Sequence, residues 1–375
     1  MQKRSRPQVY HLNEATMVLV NPTPRKTRRY KSTLTAVIVV STVIFIAWLI
    51  ALSLIGNNSI NKEGSSNATP LRGQIQSVLL EQSKDTMNKV SAKSMLQSKL
   101  PYIIYGTAWK KGATASLVSQ AVQSGFRFID TACQPKHYNE AGVGEGWKEA
   151  AAKLGLDRSD LFLQTKFTSL DGQDPNKIPY DELETLEEQV KQSIAKSLEN
   201  LQTDYIDSLV MHSPMRSYED TLRVWRVFES FVKQEKVRHL GLANCYDKKT
   251  FLRLYQDSHI KPKVLQNRFY SQSGFDAELR SLCDAYGVTY QSFWTLSANR
   301  EAINSHEWKA MARSKNLTPQ TLMYAYMMSL GHTPLSGTTD ATHMKEDVEI
   351  MMRFQNSKEV LSEDDIGTLS SLLGV

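Results

Sequence analysis

Eight short apolar runs alternating with amphipathic segments predict that most of this 375-residue chain is an α/β protein, a (β/α)8 TIM barrel. The runs are nearly continuous in apolar residues, the pattern of parallel strands buried on both faces. A separate run near the N-terminus carries no charged residue and predicts one transmembrane helix ahead of the barrel. The polar stretch between them predicts a flexible stalk. The expected organisation is a basic cytoplasmic tail at 1–33, a transmembrane helix at 34–55, a linker at 56–98 and the barrel at 99–375.

Leu34 to Ile55 reads LTAVIVVSTVIFIAWLIALSLI, long enough to span a bilayer as a helix. The polar stretch before it is too long for an ordinary cleaved signal peptide. Lys3, Arg4, Arg6, Arg25, Lys26, Arg28, Arg29 and Lys31 precede it, against Glu14 as the one acid, which places the N-terminus in the cytoplasm. A single-pass signal anchor follows, with the barrel on the lumenal or extracytoplasmic side. Asn57 and Asn67 then stand in usable glycosylation sequons. The triplet Asn316-Leu317-Thr318 is discounted, because it falls at a helix–loop junction. Much of the net charge of +6 sits in the tail, and the barrel keeps no basic stripe, so nucleic acid is not an expected partner. Three cysteines, Cys133, Cys245 and Cys283, make no disulfide framework. That count suits a reducing compartment better than a lumenal barrel. No Cys/His cluster has metal-ligand spacing, so no metal is expected.

The strands are expected at Tyr102–Gly106, Phe126–Ala132, Leu161–Phe167, Tyr205–His212, Val237–Asn244, Val264–Asn267, Val288–Phe293 and Thr333–Gly337. Leu183, Leu186, Val190, Ile194, Leu198 and Leu201 fall on one face of a helix between the third and fourth strands. Leu279, Leu282, Cys283 and Tyr286 repeat that pattern, with Cys283 packing in the core. No Gly-x-Gly-x-x-Gly follows an early strand, so a Rossmann domain is not supported.

Polar residues at strand ends carry the chemistry. The second strand runs Gly125-Phe126-Arg127-Phe128-Ile129-Asp130-Thr131-Ala132, and His137-Tyr138-Asn139-Glu140 follows in the next loop. The third strand carries Lys166 and the fourth ends in His212. This chain resembles the aldo-keto reductase superfamily from about Leu100 to Leu373, and its Asp, Tyr, Lys and His stand in the family's order. The resemblance implies that Asp130, Tyr138, Lys166 and His212 are the catalytic tetrad. Reducing a carbonyl needs hydride on carbon, which no side chain provides, and a proton on oxygen. Tyr138 is the expected acid, with its pKa lowered by the Lys166 ammonium. Asp130 would hold Lys166, and His212 would donate to the carbonyl oxygen. The spacer Cys133–His137 is longer than in the usual members of the family.

The resemblance also implies a nicotinamide site. Asn244 and Gln266 would hold the carboxamide, and Phe293 would stack on the ring where members usually have Tyr. Ser336, Gly337, Thr338, His343 and Asp347 would face the phosphates and adenosine. NADP(H) is the expected cofactor on family grounds, and NAD(H) is the second choice, because Ser336 and His343 replace the usual cations. Trp109 and Trp294 are expected at the mouth of a shallow, permissive pocket for a small carbonyl substrate. The expected function is a membrane-anchored carbonyl reductase. The alternative is a cofactor-binding sensor or accessory subunit at a membrane, a use the family also makes of this barrel. Natural substrate, direction and oligomeric state are not legible in the sequence.

Overall fold

The computed structural model describes residues 91–99, 101–356 and 360–375. The expected tail, the membrane helix at 34–55 and nearly all of the stalk lie outside the described residues. Among the described residues no helix is long and apolar enough to cross a membrane. The first described helix, α1 (Ala92–Gln97), falls in the last part of the segment read as linker, and it buries Ala92 and Met95 in the core.

Eight parallel strands close into a barrel in chain order. They are β1 (Ile104–Gly106), β2 (Phe128–Asp130), β3 (Phe162–Phe167), β4 (Ile206–Met211), β5 (Val237–Ala243), β6 (Val264–Arg268), β7 (Thr289–Phe293) and β8 (Thr333–Ser336). Each lies within two residues, at either end, of its expected bounds. Closure is made by β8 beside β1, with Leu335 opposite Ile104. Between the strands run α2 (Thr114–Ser124), α3 (Glu140–Leu154), α4 (Leu186–Leu201), α5 (Tyr218–Lys233), α6 (Lys248–Asp257) and α7 (Ala277–Tyr286). The later helices are α8 (Arg300–Asn304), α9 (His306–Ser314), α10 (Pro319–Ser329), α11 (Ala341–Asn356) and α12 (Glu363–Leu373).

Local chemistry starts these helices where the loops need them to start. Asn139, Thr185, Ser217 and Thr318 each accept a hydrogen bond from a first-turn backbone amide of α3, α4, α5 and α10. Thr318 belongs to the discounted sequon, and its side chain is engaged in that cap. The helix α3 carries Gly144 because nothing larger fits: a Cβ there would lie 2.1 Å from the Asn200 carbonyl oxygen on α4. Close helix approach fixes the direction in which α3 leaves the Tyr138 loop.

One expected helical residue is corrected. Leu183 is 91% exposed and precedes α4, in a turn where Asp181 accepts its backbone amide. Its spacing extends the apolar stripe, but the Thr185 cap starts the helix after it. Cys283 is fully buried in the core as expected, and Cys133 and Cys245 are buried free thiols in loops.

Candidate active site

The second strand ends in Asp130, whose carboxylate is buried and needs compensation. Lys166, on the neighbouring β3, supplies it. Its Nζ donates to Asp130 Oδ2 at 2.6 Å, to Oδ1 at 2.7 Å and to the Thr131 carbonyl at 2.9 Å. Both residues are at most 2% exposed, so this is a fully buried ion pair at the carboxyl end of the strands. Burial pulls the Lys166 ammonium below its ordinary value, and the Asp130 charge opposes that pull.

Tyr138 lies over the pair, with Lys166 Nζ 5.3 Å from its ring centroid. The longer spacer before it is tightly pinned. The Gln134 carbonyl accepts from the backbone amides of His137 (3.1 Å) and Tyr138 (3.0 Å). Gln134 also donates through Nε2 to the Gly172 carbonyl at 2.6 Å, and its Oε1 lies 2.9 Å from His137 Nδ1. The extra residues are thus taken up in a turn fastened at both ends. The expected electrostatics of Tyr138 are corrected: burial first, and then the Asp130 charge, push its phenol above the ordinary range.

His212, just past β4, faces Tyr138 with ring centroids 6.0 Å apart at 68°. Burial and Lys166 push its pKa down to about 3, so the imidazole is neutral at ordinary pH. Its Nδ1 lies 2.6 Å from the Thr168 hydroxyl. If that hydroxyl donates, Nε2 carries the proton and can donate to an oxygen above Tyr138. Asn244, expected at the carboxamide, has a left-handed φ of 50° and gives its Nδ2 hydrogen bond to the His212 carbonyl at 2.7 Å.

The remaining expected residues separate into two groups. Gln266 points into the barrel interior, where its Nε2 donates to Asp130 Oδ1 (3.0 Å) and Gln291 Oε1 (2.9 Å). Trp294, Gly337, Thr338, His343 and Asp347 line one cavity of 330 Å³ between the loops after β7 and β8, with Thr295, Ser297 and Glu346. Phe293, half-buried, ends β7 beside it. Ser336 is fully buried and donates to Asp347 Oδ2 at 2.6 Å, so it supports the cavity wall from behind. Burial raises the Asp347 carboxyl to about 7. Trp109 is 60% exposed after β1, and its indole packs on the His137 ring at 4.0 Å. Trp109 and Trp294 both hold left-handed backbone, a costly state for so bulky a residue and one that clusters at functional sites.

Sequence reasoning missed four contributors. Thr168 sits one residue beyond the end of β3, where the expected strand also stops. The interior glutamines Gln164 and Gln291 look like ordinary strand polars until the closed barrel brings them to Asp130. Arg268 lays its guanidinium 4.0 Å from the Trp294 ring centroid, bringing a cation to the cavity wall. Its buried Nε has no hydrogen-bond partner among the described residues. Among those residues no cluster of His, Cys, Asp or Glu could hold a metal.

A barrel with an ion pair, a phenol and a neutral imidazole at its carboxyl-terminal mouth has the parts of an enzyme that protonates a substrate oxygen. A model of the aldo/keto reductase family matches residues 103–298, more than half of the chain, and this protein belongs to that family. It is a nicotinamide-dependent oxidoreductase acting on carbonyl groups. It is 28% identical over 250 residues to glyoxal reductase of Bacillus subtilis, covering 66% of this chain and 81% of the relative. To a methylglyoxal reductase of Yersinia pestis it is 25% identical over 249 residues, again covering 66% and 81%. Among solved structures, an aldo/keto reductase from Brucella melitensis superposes with a TM-score of 0.59 at 24% identity, covering 73% of this chain and 94% of that one. An aldo-keto reductase from a deep-sea metagenome gives a TM-score of 0.60 at 20% identity, covering 73% and 91%. At such identities the structural likenesses establish the fold alone.

Proposed function

We propose that this protein is a membrane-anchored reductase that converts aldehydes or ketones to alcohols with NADP(H), Tyr138 delivering the proton. The observation that carries the reading is the buried Asp130–Lys166 pair set beneath Tyr138 and beside a neutral His212. A phenol held above its ordinary pKa keeps its proton at neutral pH and is a full-time donor. The oxygen of a reduced carbonyl is a stronger base than a phenolate, so transfer runs downhill once that charge develops. Lys166 stabilises the phenolate as it forms, from a water-excluded position. His212, through the nitrogen that faces away from Thr168, orients the substrate oxygen.

The residues present fit a nicotinamide dinucleotide in kind. Phe293 offers an aromatic face, and the cavity beyond it offers hydroxyls, an imidazole and the guanidinium behind Trp294. Phe293 and Asn244 would hold the nicotinamide end, and Thr338 and His343 the phosphates. When bound, the reduced cofactor supplies the hydride that side chains lack.

Two relatives are named for glyoxal and methylglyoxal, so small dicarbonyls lead the substrate panel. Following cofactor oxidation with glyoxal, methylglyoxal and simple aldehydes should show turnover with both NADPH and NADH. NADPH should be favoured by no more than about tenfold, near the worth of one hydrogen bond to a charged group. Binding of cofactor with no turnover on any carbonyl would overturn the enzyme reading in favour of a sensor.

Residues 34–55 supply the proposed anchor, with the N-terminus in the cytoplasm and the barrel on the other side of the membrane. A glycosidase digest of the full-length protein from a eukaryotic host should shift its mobility through glycans on Asn57 or Asn67. An unshifted band, with the stalk cleaved by protease added outside sealed vesicles, would contradict the orientation.

A further inference from the structure

The interior layer below Lys166 is polar where a barrel of this kind usually packs branched apolar side chains. Gln164 on β3, Gln266 on β6 and Gln291 on β7 are at most 3% exposed, and they meet Asp130 in a closed square of hydrogen bonds. Gln164 Nε2 donates to Asp130 Oδ1 at 2.8 Å and to Gln291 Oε1 at 2.7 Å. Gln266 Nε2 donates to the same two oxygens at 3.0 and 2.9 Å. A fifth bond, from Gln291 Nε2 to Gln164 Oε1 at 3.1 Å, locks the far side.

The orientation of each amide is dictated rather than chosen. A carboxylate can only accept, so Gln164 and Gln266 must turn their nitrogens toward Asp130. Gln291 must then present its oxygen to the two amide groups. We infer that Gln164, Gln266 and Gln291 are positioning residues, an amide clamp built for a carboxylate that fixes Asp130 and, through it, Lys166 beneath Tyr138. Three buried amides cost stability unless their donors are satisfied, and here every nitrogen has a partner. The clamp engages both N–H groups of Gln266, and its Oε1 takes no part in it.

The inference rests on the proposed role of the Asp130–Lys166 pair, and two nearly isosteric changes separate it from mere packing. Gln164→Glu turns a donor facing Asp130 into an acceptor, whereas Gln164→Met removes the donor and adds no titratable group. At pH 8 Gln164→Glu should lower kcat at least about tenfold with KM unchanged, the loss expected from hydrogen bonds to a charged group. Its kcat should recover toward pH 5, as the introduced carboxyl gains a proton and can donate. Gln164→Met should also lower kcat, but by the same factor at both pH values. A Gln164→Glu defect independent of pH, or a wild-type kcat in Gln164→Met, would overturn the clamp.

Should Gln164→Glu fail to fold at pH 8, Gln164→Met removes the donors without adding charge, and a wild-type kcat there would overturn it equally. If the wild-type chain turns over no carbonyl, the proposed function fails and the clamp is judged by denaturant unfolding. The introduced carboxyl of Gln164→Glu faces a carboxylate, so its folded pKa is raised. Stability is then fully present below the unfolded value of about 4.3 and falls as pH rises above it. A stability difference from Gln164→Met that does not grow with pH would overturn the clamp.

Discussion

Tyr138→Phe should abolish carbonyl reduction, with kcat falling by roughly two to four orders of magnitude, the range for loss of a positioned acid. The ring that lies over Lys166 is kept, so NADPH should bind with near wild-type affinity in a fluorescence titration. Only the hydroxyl is lost, and no other side chain named at the mouth can replace it. His212 is neutral and gives at most a hydrogen bond, while the Lys166 ammonium is committed to Asp130 and the Thr131 carbonyl. Steady-state rates on glyoxal, read beside the titration, separate the two effects. Turnover within tenfold of wild type would remove Tyr138 from the role of acid.

Lys166→Met should be the most damaging change to the site as a whole. It removes the cation that offsets the developing phenolate, and it leaves Asp130 as a buried carboxylate without its charged partner. The amides of Gln164 and Gln266 remain on Oδ1, but Oδ2 loses the 2.6 Å bond that satisfies it. Breaking a buried pair from one side typically costs about 3–5 kcal/mol. Urea unfolding should therefore show a lower midpoint, together with loss of turnover. A variant as stable as wild type would mean that the pair is not energetically coupled.

Much of this architecture is legible from the chain alone, for a physical reason. Strands buried on both faces have to be apolar almost throughout, so runs such as Leu161–Phe167 announce themselves. Lys166 within such a run, and Asp130 at the end of another, are conspicuous because isolated buried charge is costly. The same logic does not identify partners. Nothing local ties Gln164 to Gln291, which lie on strands separated by 127 residues and meet only when the barrel closes. Leu183 misleads because periodicity continues past a cap, whereas the hydrogen bonds of Thr185 decide where the helix begins. The Tyr138 phenol shows the same limit: the nearby lysine was foreseen, but the burial that raises the phenol, and the Asp130 charge that adds to it, are supplied only by the folded chain.

The central claim, that a permanently protonated phenol and a neutral imidazole serve the substrate oxygen, is tested most directly by the pH dependence of kcat at saturating NADPH. Saturation takes the titration of Asp347, at about 7 in the cavity wall, out of the measurement. His212 gains a proton only near pH 3, and Tyr138 loses its own only above the ordinary phenol value of about 10. The profile for reduction should therefore be flat from about pH 5 to about pH 9. An acid limb near the ordinary histidine value of about 6.5, or a basic limb below about pH 9, would contradict the account.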